Sequence, residues 1–109
     1  MTQNELFDIL WDNDLKRGQI ISKRNAMIKA RECTPEEAYK ATAEELNECF
    51  RRQQKAIIQY VGEKYNLTPK AMEIIYKRAY EEGYANGSRE VVCHTEELAE
   101  LVADVRDVL

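Results

Sequence analysis

Glycine and proline are scarce: the 109 residues contain 4 Gly and 2 Pro. A β sandwich or barrel needs a turn signal about every 8–12 residues, and this supply is too thin for one. No apolar run approaches the roughly 20 residues that cross a bilayer as a helix, so no membrane partner is expected. The opening MTQNELFD is acidic and lacks the basic-then-apolar order of a secretory signal, which points to the cytoplasm. Histidine occurs once, at His94, and the three cysteines, Cys33, Cys49 and Cys93, are odd in number and widely spaced. That pattern excludes a disulfide framework and a structural zinc site, so the thiols are expected to be reduced and to behave as small buried hydrophobes.

What the chain does have is charge and helical rhythm. Charged residues make up 33% and hydrophobic residues 44%, the balance of a compact protein built from amphipathic helices. One hundred and nine residues suffice for a single domain spanning 1–109 with one modest core. In CTPEEAYKATAEELNECF, Thr34 is placed to cap a helix, Pro35 fits the first helical position, and Glu37 completes a capping box. Tyr39, Ala43, Leu46, Phe50, Ile57, Tyr60 or Val61, and Tyr65 then recur mostly at steps of three and four, which predicts one helix over about 35–65.

The same start signal returns at Thr68 and Pro69, followed by Met72, Ile75, Tyr76, Ala79, Gly83, Gly87, Val91, His94, Leu98, Leu101 or Val102, Val105 and Leu109. The phase runs through both glycines. A continuous helix is therefore expected, with Ala79, Gly83 and Gly87 on one face where another backbone can approach closely. The alternative is a break within 83–88, with Thr95 capping a final helix. The N-terminal third predicts two helices or one kinked helix, with Leu6, Ile9 and Leu10 forming an apolar face, Phe7 and Trp11 beside it, and a break near Asn13 or Gly18. The sum is an all-α antiparallel bundle of three to four helices, two of them long.

No catalytic constellation stands out. With a single histidine, a thiol–imidazole pair would have to join Cys33 or Cys49 to His94, because adjacent Cys93 and His94 diverge by about 100° on a helix. His94 falls on the apolar stripe and reads as a core histidine. No phosphate-binding glycine loop or Glu-x-x-His metal pair is present, and no enzyme activity, metal or cofactor is expected.

Charge is uneven along the chain although the net value is only −4. Glu5, Asp8, Asp12 and Asp14 precede any base, whereas Lys16, Arg17, Lys23, Arg24, Lys29 and Arg31 follow with no acid among residues 16–31. A basic run of this kind is the mark of a nucleic-acid-binding bundle. Basic helices beside acidic ones also pair across a bundle surface, and the acidic balance favours that second reading.

The segment YKRAYEEGYANGSREVVCHTEELAEL resembles a pattern found in small accessory proteins of tailed bacteriophages, carried here by Tyr80, Glu82, Gly83, Tyr84, Gly87, Glu90, Val91, Leu98 and Leu101. The resemblance covers about a quarter of the chain. It implies a protein made in the cytoplasm of an infected bacterium that binds and inhibits a host factor, and it supplies no active site. The expected function is thus non-catalytic binding of a host or phage protein, with a homodimer as a further arrangement, through Ala79, Tyr80, Gly83, Tyr84 and Gly87. The alternative is nucleic-acid binding through the basic 16–31 stretch.

Overall fold

A computed structural model describes residues 1–83 and 87–108. Four helices follow in order: α1 (Gln3–Lys29), α2 (Pro35–Tyr65), α3 (Pro69–Gly83) and α4 (Ser88–Val108). No strand occurs among the described residues.

The capping expectations hold at both predicted starts. The Thr34 hydroxyl accepts from the Glu37 backbone N–H at 3.2 Å, while the Glu37 carboxylate accepts from the Thr34 N–H. The Thr68 hydroxyl accepts from the Ala71 N–H in the same way. α2 stops at Asn66, which adopts a left-handed conformation with φ 53°. Asn tolerates that region better than most residues, and the turn it makes sends the chain back along α2 as α3.

α1 and α2 form a long antiparallel hairpin, and α3 and α4 pack together on one end of it. Tyr76 meets Gln53, Tyr80 meets Phe50, and Met72 reaches Gly62, so α3 runs back along the second half of α2 only. Ser88 Oγ donates to Asp14 at the near end of α4, and Arg106 donates to the Asn66 and Tyr65 carbonyls at the far end. The last turns of α1 and the first turns of α2 extend beyond that span. The molecule is accordingly elongated, 60 × 24 × 21 Å.

The core lies where all four helices meet: Leu6 and Leu10 from α1, Ile57, Tyr60 and Val61 from α2, Met72, Ile75 and Tyr76 from α3, and Val91, Val92 and Ala99 from α4. Burying a side chain of this size contributes roughly 1.5–3 kcal/mol. The narrower α1–α2 seam is built from small and polar residues, with Ala38, Thr42 and Cys49 buried along α2. Thr42, Cys49 and Ala56 recur every seven residues, the spacing of a coiled-coil seam.

Three expectations are corrected. α1 is one helix through Asn13 and Gly18, because the Asn13 side chain points inward and donates to the Cys49 carbonyl at 2.8 Å. Over its first turns, α2 buries Ala38 and Thr42, one residue before the expected Tyr39 and Ala43, which are exposed. Finally, the C-terminal half is two helices. α3 ends at Gly83, Gly87 has a left-handed φ of 87°, and α4 starts at Ser88, so the alternative of a break within 83–88 is the observed one. Thr95 does not cap this last helix. It lies inside α4, fully buried, its hydroxyl donating to the Val91 carbonyl at 2.6 Å.

Candidate interaction surfaces

Of the small-residue face predicted for a partner, Ala79 and Gly83 are buried, and Gly83 packs against the chain's own α4. Ala79 is fully buried, and a Cβ placed on Gly83 would lie 3.1 Å from the Val91 backbone nitrogen and 3.3 Å from the Glu90 carbonyl carbon. Close approach at Gly83 is therefore real, but its beneficiary is α4. Gly87 is exposed, with nothing within 4 Å of a Cβ position, and serves the turn rather than a helix contact. Tyr80 is half-buried in an aromatic group, edge-on to Phe50 at 4.8 Å and stacked on Tyr76 at 6.1 Å. Tyr84 lies outside the described residues.

The basic stretch is placed on α1 and the α1–α2 turn. Lys16 pairs with Asp12 of its own helix at 3.1 Å. Arg24 lays its guanidinium 4.1 Å above the Tyr39 ring, and its buried Nε has no hydrogen-bond partner. Arg17, Lys23, Lys29 and Arg31 make no ion pair among the described residues, so the expected charge pairing across the bundle does not form there. At about 100° per residue, Lys16 and Lys23 share one side of the helix, Arg17 and Arg24 a second, and Lys29 a third. The six cations do not form one stripe.

His94 is not a core residue. It lies at the rim, facing the Glu97 carboxylate at 3.6 Å and that of Glu90 at 3.9 Å, and its ring edge would lie 3.3 Å from a Cβ placed on Gly83. Of the cysteines, Cys49 is buried, Cys33 is half-buried and Cys93 is exposed, so the reading of all three as buried holds for Cys49 alone. No group of three or more His, Cys, Asp or Glu residues among the described ones could hold a metal ion.

Clefts flank α2 among the described residues. One, of about 690 Å³, lies between α2 and α3 over Ile58, Leu67 and Met72, with Arg51 and Lys55 at its rim. Another, of about 550 Å³, lies where α3 and α4 leave the hairpin and is lined by Asn13, Arg17, Phe50, Gln53, Tyr80 and Ser88. In its wall the Gln53 amide donates to the Tyr76 hydroxyl at 3.3 Å. Burial pushes the Tyr76 phenol up to about 12, since a phenolate there would lose its water.

A model of the family described as "Family of unknown function (DUF8546)" matches residues 5–103. The chain belongs to this family. The match takes in all of α2 and α3 and most of α1 and α4, so the DUF8546 unit is the whole four-helix arrangement rather than the hairpin alone. No curated protein and no solved structure matches the chain.

Sequence reasoning missed the surfaces that the DUF8546 fold leaves open. One is the row Phe7, Trp11 and Leu15 on α1, at 41%, 70% and 52% exposure. The other is the end of α4, where Leu101 and Val105 are 61% and 58% exposed and Val102 is 41%. The four-residue spacing of the α1 row was visible in the sequence as a second apolar line beside Leu6 and Leu10. The α4 residues follow the core rhythm, and nothing local marks where burial stops. No helix among the described residues is long and apolar enough to cross a membrane.

Proposed function

We propose that this chain is a non-catalytic helical module that binds and inhibits another protein, and that the exposed end of α4 is the surface it uses. The observation that carries this reading is the row Leu101, Val102 and Val105, left in solvent on a helix whose earlier apolar residues, Val91, Val92 and Ala99, are buried. A clustered apolar row on a small helical protein marks an interaction site. Glu97, Glu100 and Asp104 flank it, so the matching partner surface is an apolar groove with a basic rim, the helix-in-groove mode of recognition. The resemblance of the C-terminal segment to phage accessory proteins supports a host protein as the target, in the cytoplasm of an infected cell.

The test is a photo-crosslinking residue at Val105, with Glu36 at the far tip of the hairpin as control. One bacterial protein should be captured from Val105 and not from Glu36. The purified pair should then bind directly, and Leu101→Glu with Val105→Glu should abolish that binding while leaving the helical circular dichroism intact. Binding unaffected by the α4 variants would contradict the proposal.

The second reading, a nucleic-acid-binding bundle, is favoured by the unpaired cations Arg17, Lys23, Lys29 and Arg31. Their scatter around the helix favours the protein-binding reading over it. Retention on DNA or RNA that falls steeply with salt would reverse that order.

A further inference from the structure

We infer that the cleft between α2 and α3 is a binding site for a small aliphatic monocarboxylate. It lies apart from the end of α4, so it stands or falls independently of the reading above. Its volume of about 690 Å³ suits a small molecule. α2 has no side chain at Gly62, where a Cβ would lie 3.1 Å from Met72 Cγ and 3.7 Å from the Leu67 carbonyl oxygen. Met72 is therefore buried close against α2, and Ile58 and Leu67 remain half-buried over it as the floor of the cleft. The lining holds no aromatic ring among the described residues, so nothing there stacks on a planar ligand. Leucine, isoleucine and the unbranched thioether of methionine suit a flexible aliphatic tail.

Charge selects the head group. Arg51 and Lys55 stand one turn apart on α2 at one end of the cleft, both exposed. Among the described residues neither makes an ion pair or a ring contact. The lining also holds two acids, Glu63 and Glu73. Glu63 is already matched: it accepts from the Met1 ammonium at 2.9 Å and from the Gln59 amide at 3.3 Å, contacts that hold its pKa below the ordinary value. Glu73, on α3, makes no ion pair among the described residues. Two free bases thus face one free acid. A single carboxylate between Arg51 and Lys55 is matched by charge-assisted hydrogen bonds, whereas a second anionic group further along the cleft would meet Glu73. From Lys55 to Gly62 the cleft runs about 10 Å along α2 at 1.5 Å per residue. A tail of that length, such as that of octanoate, reaches from the bases to Leu67.

Titration of the full chain, labelled with nitrogen-15, with octanoate tests this. Amide shifts should saturate at Arg51, Lys55, Ile58, Gly62 and Leu67, with a Kd below about 1 mM. 1-Octanol, which offers the same tail without the charge, should bind about tenfold more weakly or worse, and so should the dicarboxylate suberate. Salt should weaken octanoate binding and leave octanol unaffected. Arg51→Gln with Lys55→Gln should bring octanoate down to the affinity of octanol with unchanged helical circular dichroism. Glu73→Gln should tighten suberate. Absence of saturable shifts up to several millimolar octanoate overturns the inference. So do shifts centred on Phe7 and Trp11 or on Leu101 and Val105, the mark of general adsorption to exposed apolar residues. Octanol or suberate binding as tightly as octanoate overturns it too.

Discussion

The Asn13 side-chain amide donates to the Cys49 carbonyl at 2.8 Å, 4% exposed, in the middle of the α1–α2 seam. This contact fixes the register of the hairpin, and it leaves the Asn13 Oδ1 buried without a partner. Asn13→Leu removes the orphaned acceptor along with the donor, so its stability should stay within about 1 kcal/mol of the parent. Asn13→Asp instead puts a carboxylate beside a carbonyl oxygen. Burial and that carbonyl raise its pKa above the unfolded value of about 3.9. The variant's stability should therefore be highest below that value and fall as pH rises through the folded pKa, by about 2–4 kcal/mol at neutrality. Urea melts at pH 3.5 and pH 7, each referred to the parent at the same pH, check both signs.

Tyr76 gives the native protein an alkaline limit. Its phenol, pushed up by burial to about 12 from 10, binds its proton more tightly folded than unfolded. Its contribution is intact below pH 10 and is lost as pH rises toward 12, on the order of 3 kcal/mol. Tyr76→Phe should flatten that part of the pH–stability curve. It should also cost about 1 kcal/mol at neutral pH, because the Gln53 amide loses its acceptor.

Gly83 and Gly87 should answer differently to the same substitutions. At Gly83 the obstacle is the Val91 backbone at 3.1 Å, which cannot swing away, so alanine should destabilise by about 1–3 kcal/mol and asparagine by more. At Gly87 there is space, but φ is 87°, so alanine should cost about 1–2 kcal/mol of backbone strain and asparagine much less. Thermal melts of the four variants decide it. Equal tolerance of asparagine at both sites would contradict the assignment of one glycine to packing and the other to the turn.

Thiol reactivity should follow position. Cys93 is exposed and should be alkylated first in the native protein, Cys33 more slowly, and Cys49 only when the seam opens. Iodoacetamide labelling read by peptide mass spectrometry gives the order directly. Rapid native modification of Cys49 would contradict the packing around Asn13.

Much of the fold was legible because capping chemistry is local. Thr34 with Pro35 and Glu37, and Thr68 with Pro69, announce helix starts by side chains that satisfy the first free N–H groups. The break after Gly83 was not legible from spacing. The four-residue interval from Ala79 through Gly83 to Gly87 continues a helical phase, yet the two glycines serve unrelated needs, a close helix contact and a left-handed turn. Folding back allows Val91, Val92 and Ala99 to bury against the rest of the core, a tertiary gain that local periodicity does not encode. The early α2 register was missed for a related reason. The seam uses Ala38 and Thr42, while the more conspicuous Tyr39 stays outside and carries the Arg24 guanidinium on its ring. Of the predicted partner surface, Ala79 and Gly83 are buried, Gly83 against α4, because the chain folds back after Gly83.

The reading of the α4 surface depends on that reversal, because it decides which apolar residues of the C-terminal half are covered and which are free. Pulsed electron paramagnetic resonance between spin labels at Lys70, near the start of α3, and Asp104, near the end of α4, measures it directly in a Cys-free background. With Arg106 bonded to the Asn66 carbonyl at 2.7 Å, the two ends of the α3–α4 pair lie at the same end of the bundle. The expected distance is short, about 20 Å or less, a few helical turns. A continuous helix would instead separate the labels by about 50 Å at 1.5 Å per residue. A distribution centred there would return Ala79 and Gly83 to the surface and contradict the account.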